Sequence, residues 1–180
     1  SYPPRRSPVL FKNFPGPDSD GARRVRDVAL YTTAAPSYFP SADGYIDGGV
    51  IANNPSMVAI AQTQDCRSGR PAAPLRSLAL LSFGTGRSLN RIEGGRMDWG
   101  LGHWAKPLLG ILTEGGMGVV DYQCRQLLGS RYHRLCPIFA PGDAIAMDAV
   151  DRMADLLRIA DGVDLAPTIA WLWSRWMRGA

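Results

Sequence analysis

Leu75-Arg-Ser-Leu-Ala-Leu-Leu-Ser-Phe83 is an apolar run of strand length that stops abruptly at Gly84-Thr-Gly86. A run with so little alternation suits a strand buried on both faces better than an edge strand. Such a strand needs a sheet beside it and helices above and below it. Residues 8–14 and 131–139 read as further strands, and 44–47 as a short one entering Gly48-Gly49. Val25, Val28, Ala29 and Thr32 recur at helical spacing, and Pro36 closes that helix. Asn54 is a good N-cap and Pro55 suits the first position of a helix carrying Met57, Val58, Ile60 and Ala61. Met117, Val120, Cys124 and Leu127 predict a helix ending at Gly129. Asp148 can cap a helix with Val150, Met153, Leu157 and Ala160, stopped by Gly162. Asp164 can cap another with Ile169, Leu172, Trp173 and Trp176. Residues 87–106 read as irregular, pinned by Trp99 and Trp104. The order β-α-β-α-β-α-β-α-α predicts an α/β fold with a mainly parallel sheet and helices on both faces.

Composition narrows the class. A chain of 180 residues suits one domain, and 46% apolar with 20% charged residues describes a globular chain. No window reaches the roughly 18 consecutive apolar residues of a membrane span. The start, Ser1-Tyr-Pro-Pro-Arg-Arg6, shows no signal peptide, and the compartment stays open. The net charge of +4 comes from scattered Arg and not from a stripe, which argues against a nucleic-acid partner. Cys66, Cys124 and Cys136 form no disulfide framework and no C-x-x-C pair. His103 and His133 lack metal-ligand spacing and read as structural, and Asp18-x-Asp20-Gly21 lacks the other positions of a calcium loop. The expectation is no metal and no cofactor.

The densest run of unusual residues is Thr32-Thr-Ala-Ala-Pro-Ser-Tyr-Phe-Pro40, then Tyr45-Ile-Asp-Gly-Gly49, then Ala52-Asn-Asn-Pro55. Asp47 stands at a predicted strand end, flanked by two glycines that allow close backbone approach. Active sites of α/β folds collect at such edges, so Asp47 is the candidate catalytic base. By itself, Asp-Gly-Gly is also a common turn.

The whole run resembles the patatin-like phospholipase family, block by block and in order. Thr32–Pro40 is similar to its Thr-Ser-Ala-Ala-Pro-x-x-Phe block, with Thr33 replacing the usual Ser. Asp47-Gly48-Gly49 is similar to its Asp-Gly-Gly/Ala motif, and Ala52-Asn53-Asn54-Pro55 to its Asn-Asn-Pro block. Leu80–Gly86 is similar to its Ser-Leu-Gly-Thr-Gly strand end. Tyr132–Leu135 and the Asp148 region are similar more loosely, so the resemblance runs from about Pro8 to Asp161. It implies a three-layer α/β/α fold with a mainly parallel central sheet. It also implies a lipid acyl hydrolase of the phospholipase A or lysophospholipase type, working by a Ser-Asp dyad with Asp47 as base. Gly48, Gly49, Asn53, Asn54 and Pro55 support that motif. Tyr38 and Phe39 are candidate lining for an acyl pocket, with ordinary core packing as the alternative.

The family's nucleophile sits in a Gly-x-Ser-x-Gly elbow. Gly86-Arg-Ser88-Leu-Asn90 fails that pattern at its last position, and no Gly-rich oxyanion loop is present either. In the family both precede the Asp-Gly-Gly motif. Residues 1–180 therefore read as the C-terminal portion of a single patatin-like domain, its sheet incomplete on the N-terminal side. The expected partners are a lipid or acyl-ester substrate and either the missing portion or a second copy of this chain. The chain alone is expected to be inactive. A non-catalytic module that binds lipid or a protein is the alternative. Residues 169–177 carry Trp beside Arg175 and could rest on a membrane surface, although packing against the sheet is the plainer reading.

Overall fold

The computed structural model describes residues 7–88, 100–140, 145–146 and 148–177. Its elements are α1 (Val25–Thr33), α2 (Gly49–Ala52), α3 (Ser56–Gln64), β1 (Leu80–Phe83), β2 (Arg87–Ser88), α4 (Leu101–Leu128), β3 (Tyr132–Leu135), β4 (Ile138–Phe139), α5 (Met153–Asp161) and α6 (Ala166–Arg175). The fold mixes helix with a small parallel sheet. β1 pairs with β3 in parallel, with Leu80 opposite Tyr132 and Ser82 opposite Arg134, and β2 pairs with β4 in parallel.

Side chains alternate between the faces of a strand. Tyr132 joins Cys124 and Leu128 of α4 and Ile60 of α3 in the buried core. Its neighbour His133 meets α6, with Nε2 2.9 Å from Thr168 Oγ1 and its ring stacked on Trp171. β3 thus carries α4 on one face and α6 on the other. Trp171 Nε1 also donates to the Ser130 carbonyl at 2.8 Å, so α6 packs on the sheet. His133 thus joins β3 to α6 through its contacts with Thr168 and Trp171.

Four expectations need correction. Residues 8–14 are not a strand. They form a loop closed by the Asp20 N–H donating to the Lys12 carbonyl and the Lys12 N–H donating to the Asp20 carboxylate, with Phe11 packed on Tyr31 and Tyr45. Residues 44–47 are not a strand either. Asp43 and Gly44 take positive φ, and only an isolated bridge joins Ala42 to Tyr45. The strand expected over 75–83 is confined to Leu80–Phe83, after a 3-10 turn at Leu75–Ser77, and 131–139 splits into β3 and β4. Among the described residues β1 has one strand neighbour, so it is an edge strand with Phe83 exposed. The fourth correction is α4, which begins at Leu101 inside the stretch read as irregular. Residues 89–99, including Trp99, lie outside the described residues.

Helical periodicity located helices more accurately than it chose their faces. Met117, Val120 and Cys124 do turn inward on α4, joined by Leu128 and not Leu127. On α5 the expected face is outward. Met153 and Leu157 are exposed, while Leu156 and Ile159 are half-buried. Val25 of α1 is 84% exposed. Asp164 stands one residue before Leu165, the N-cap of α6, and its Oδ1 accepts the Ala166 N–H at 2.9 Å. Ala149, not Asp148, occupies the N-cap of the 3-10 turn ahead of α5, with no side-chain cap bond there among the described residues.

Candidate active site

The turn that carries Asp47 is held from both sides. Upstream, Tyr45 stacks on Tyr31 of α1 at 4.6 Å between ring centroids. The Asp47 N–H donates to the Ala34 carbonyl at 3.0 Å, and the Gly48 N–H to the Thr32 carbonyl at 3.3 Å. The Thr-Thr-Ala-Ala stretch therefore serves as the backbone cradle of the Asp-Gly-Gly turn, with Ala34 and Ala35 buried beneath it. Downstream the chain turns directly into α2.

Both glycines are required by space. A Cβ on Gly48 would lie 2.9 Å from Thr32 Oγ1, and one on Gly49 would lie 2.8 Å from Asp47 Oδ1 and 3.2 Å from Asn53 Oδ1. The Gly49 N–H donates to Asp47 Oδ1 at 2.5 Å. Asp47 is half-buried, and its second carboxylate oxygen accepts no hydrogen bond among the described residues. One oxygen is thus anchored and the other is available to a proton donor.

Asn53 and Asn54 dock this loop on α4. Asn53 Nδ2 lies 3.3 Å from Met117 Sδ, and Asn54 Nδ2 lies 3.5 Å from the Met117 carbonyl. Pro55 flanks the first residue of α3, which starts at Ser56. Asn54 Oδ1 accepts from the Ser56 N–H at 3.2 Å and from Ser56 Oγ at 2.6 Å. It therefore caps the helix from one position earlier than an ordinary N-cap. Between this loop and α4 lies a cavity of about 320 Å³, lined by Gly49–Asn54 and by Leu112, Thr113, Gly116, Val119 and Val120. Tyr38 and Phe39 are exposed and do not line it.

Three residues of the site are not singled out as site residues by the sequence: Ser82 and Arg134, which lie inside the family-like blocks Leu80–Gly86 and Tyr132–Leu135, and Met117, which enters there only through helical periodicity. Ser82 Oγ lies 2.8 Å from Ser56 Oγ and accepts from Arg134 Nη1 at 2.5 Å. The signal for Ser82 was a hydroxyl inside an otherwise apolar strand. Below this line, burial pushes the Tyr132 phenol above its ordinary value. Burial does the same to the Cys124 thiol, which leaves it inert. No group of His, Cys, Asp and Glu suited to a metal ion occurs among the described residues.

No family model matches the chain. Curated proteins do. The chain is 30% identical to CotR of Bacillus subtilis (strain 168), over 96% of this chain and 59% of that protein. It is 29% identical to the cGAMP-activated phospholipase of Pseudomonas aeruginosa (strain BWHPSA011 / Pa011), over 79% of this chain and 43% of that protein. It is 30% identical to patatin-like protein 3 of Arabidopsis thaliana, over 64% of this chain and 34% of that protein. The chain spans about half the length of such relatives. With these likenesses beside the cradled Asp-Gly-Gly turn and the docked Asn-Asn-Pro loop, the chain belongs to the patatin-like phospholipase family.

Proposed function

We propose that this chain supplies the general base of a lipid acyl hydrolase of the phospholipase A or lysophospholipase type. The observation that carries the reading is Asp47: one carboxylate oxygen is anchored by the N–H of Gly49, a residue that lines a largely apolar cavity, and the other accepts no hydrogen bond among the described residues. In this reading residues 1–180 are the C-terminal portion of one patatin-like domain of three-layer α/β/α architecture. The nucleophilic Ser and the oxyanion donors come from the other portion. The greater length of the relatives leaves room for such a portion.

The chemistry follows from those parts. The free Asp47 oxygen accepts the Ser proton as Oγ bonds to the ester carbonyl carbon, and the carbonyl electrons move to oxygen. Donors aimed at that oxygen carry most of the stabilisation. Collapse expels the alcohol, which takes the proton from Asp47 and leaves an acyl-enzyme. Water then repeats the sequence, giving up its proton to Asp47 and releasing the fatty acid. Ser56 and Ser82 do not substitute for the missing Ser, since both are buried and locked in hydrogen bonds.

The test has two arms. In the complete hydrolase, Asp47→Asn should keep the circular dichroism spectrum and remove nearly all hydrolysis of p-nitrophenyl acyl esters. Full activity in that variant ends the dyad reading. The chain alone should hydrolyse neither these esters nor phospholipids and should take no fluorophosphonate label by mass spectrometry. A stoichiometric adduct on Ser56 or Ser82 would place the nucleophile in this chain instead.

A further inference from the structure

Three of the four buried polar side chains among the described residues fall in one line that ends at the active-site loop; the fourth, Thr168, lies apart on α6. Asn54 is 2% exposed, Ser56 5% and Ser82 6%. Arg134, on β3 opposite Ser82 in register, begins the line by donating Nη1–H to Ser82 Oγ. A guanidinium has donors and no acceptor, so the direction at this end is fixed. Ser56 has one hydroxyl proton, which lies toward Asn54 Oδ1 at 2.6 Å. The proton between the two hydroxyls, 2.8 Å apart, is then that of Ser82. Every proton runs one way: Arg134 to Ser82, Ser82 to Ser56, Ser56 to Asn54.

The Ser56 backbone N–H, which can only donate, sets the orientation of the Asn54 amide independently: its Oδ1 faces Ser56 and its Nδ2 faces the Met117 carbonyl. The next link is steric. Asn53 Oδ1 and Asp47 Oδ1 crowd the same side of Gly49, and the Gly49 N–H holds the carboxylate. Moving Asn54 moves Asn53, and with it the wall against which Gly49 and Asp47 are set.

We propose that Arg134, Ser82, Ser56 and Asn54 form a one-way donor chain that positions the Asp47 carboxylate from the sheet. They act on the reacting carboxylate through Asn53 and Gly49, as positioning residues. Their catalytic consequence rests on the reading of Asp47 as the base, but their effect on the carboxylate does not. Cutting the chain at Ser82 or Arg134 leaves a buried donor or acceptor unmatched, and such groups force a rearrangement of their neighbours.

The direct readout is the Gly49 amide proton in nitrogen-15-labelled chain, because that proton reports its short bond to Asp47. Arg134→Met and Ser82→Ala should both shift the Gly49 resonance and the Asn54 side-chain amide pair. Arg134→Lys, which keeps a charged donor, should largely restore both. In the complete hydrolase, Arg134→Met should lower kcat by about ten- to a hundredfold with KM nearly unchanged, the mark of misplacement and not of lost binding. Arg134→Lys should recover most of that loss. If Ser82→Ala does not fold, the Met and Lys pair at Arg134 reads the same link. An unmoved Gly49 resonance in folded Arg134→Met overturns the proposal, as does an equal loss of kcat in Arg134→Met and Arg134→Lys. A Gly49 shift in a protein whose Asp47→Asn variant stays active would uphold the positioning chain and remove the base assignment.

Discussion

Gly49 shows how much of this site is decided by single atoms. It serves as both hydrogen-bond donor to Asp47 and empty space beside it. Gly49→Ala would put a methyl group 2.8 Å from Asp47 Oδ1, and the carboxylate is the group that can yield. We expect that variant to fold but to lose about a hundredfold in ester hydrolysis when assayed in the complete hydrolase, because displacement of a reacting group by an ångström has that order of effect. Gly44→Ala is the contrasting control. Gly44 has φ +80° with nothing within 4 Å of an added Cβ. Urea unfolding should show a loss of about 1–2 kcal/mol from left-handed strain, with hydrolysis preserved. The sequence marked both Asp47 and its glycines through their motif. It placed Ser82 and Arg134 inside family-like blocks but gave them no role in the site, because a hydroxyl in one strand and an arginine in another have no shared meaning until they face each other.

At the level of elements, α4 is the informative case. Its stretch from Gly102 to Gly116 also holds Gly110, Gly115 and Pro107, and local propensity argues against helix there. The second half packs Met117, Val120, Cys124 and Leu128 toward the core. Once that half is nucleated, each added residue gains a backbone bond at lower entropic cost, so the helix propagates back to the loop it covers. Gly115→Ala tests this. The added Cβ meets nothing within 4 Å, so the variant should gain about 0.5–1 kcal/mol in urea unfolding. No gain would mean that this turn is not helical in solution. The opposite error occurs at 8–14, where β-prone residues form no strand and no ladder partner lies beside them among the described residues. Strand propensity records fitness for a pleated surface, and it has no effect where that surface is lacking.

For the whole molecule, the buried apolar set among the described residues is small: Ala34, Ala35, Ile60, Cys124, Leu128 and Tyr132. Large side chains such as Val50, Ile51, Phe83, Leu112 and Val119 stand exposed, and β1 has an open edge among those residues. Exposed apolar surface together with an unpaired strand edge favours association. We therefore expect the chain by itself to self-associate, or to bind the complementary portion of the domain when that is supplied. Sedimentation velocity should show species larger than one chain. A thermally stable, lone monomer would show that the small core suffices.

The amino-acid sequence by itself determined that helices form around Val28, Ile60, Cys124, Leu157 and Trp173, that a strand lies within residues 75–83, and that Asp47 heads an Asp-Gly-Gly motif. Each follows from short-range chemistry: spacing of apolar residues, proline and glycine punctuation, or a local motif. Tertiary structure alone decided which face of α5 turns inward, that 44–47 is a turn tied to Thr32 and Ala34, and that Arg134 reaches Asn54 through two serines. Those outcomes depend on which surfaces meet across 26 to 64 residues of chain, as with Ser56 and Ser82 or Asn53 and Met117. Periodicity carries no record of such meetings, because an apolar row looks the same in sequence whether or not another element arrives to cover it.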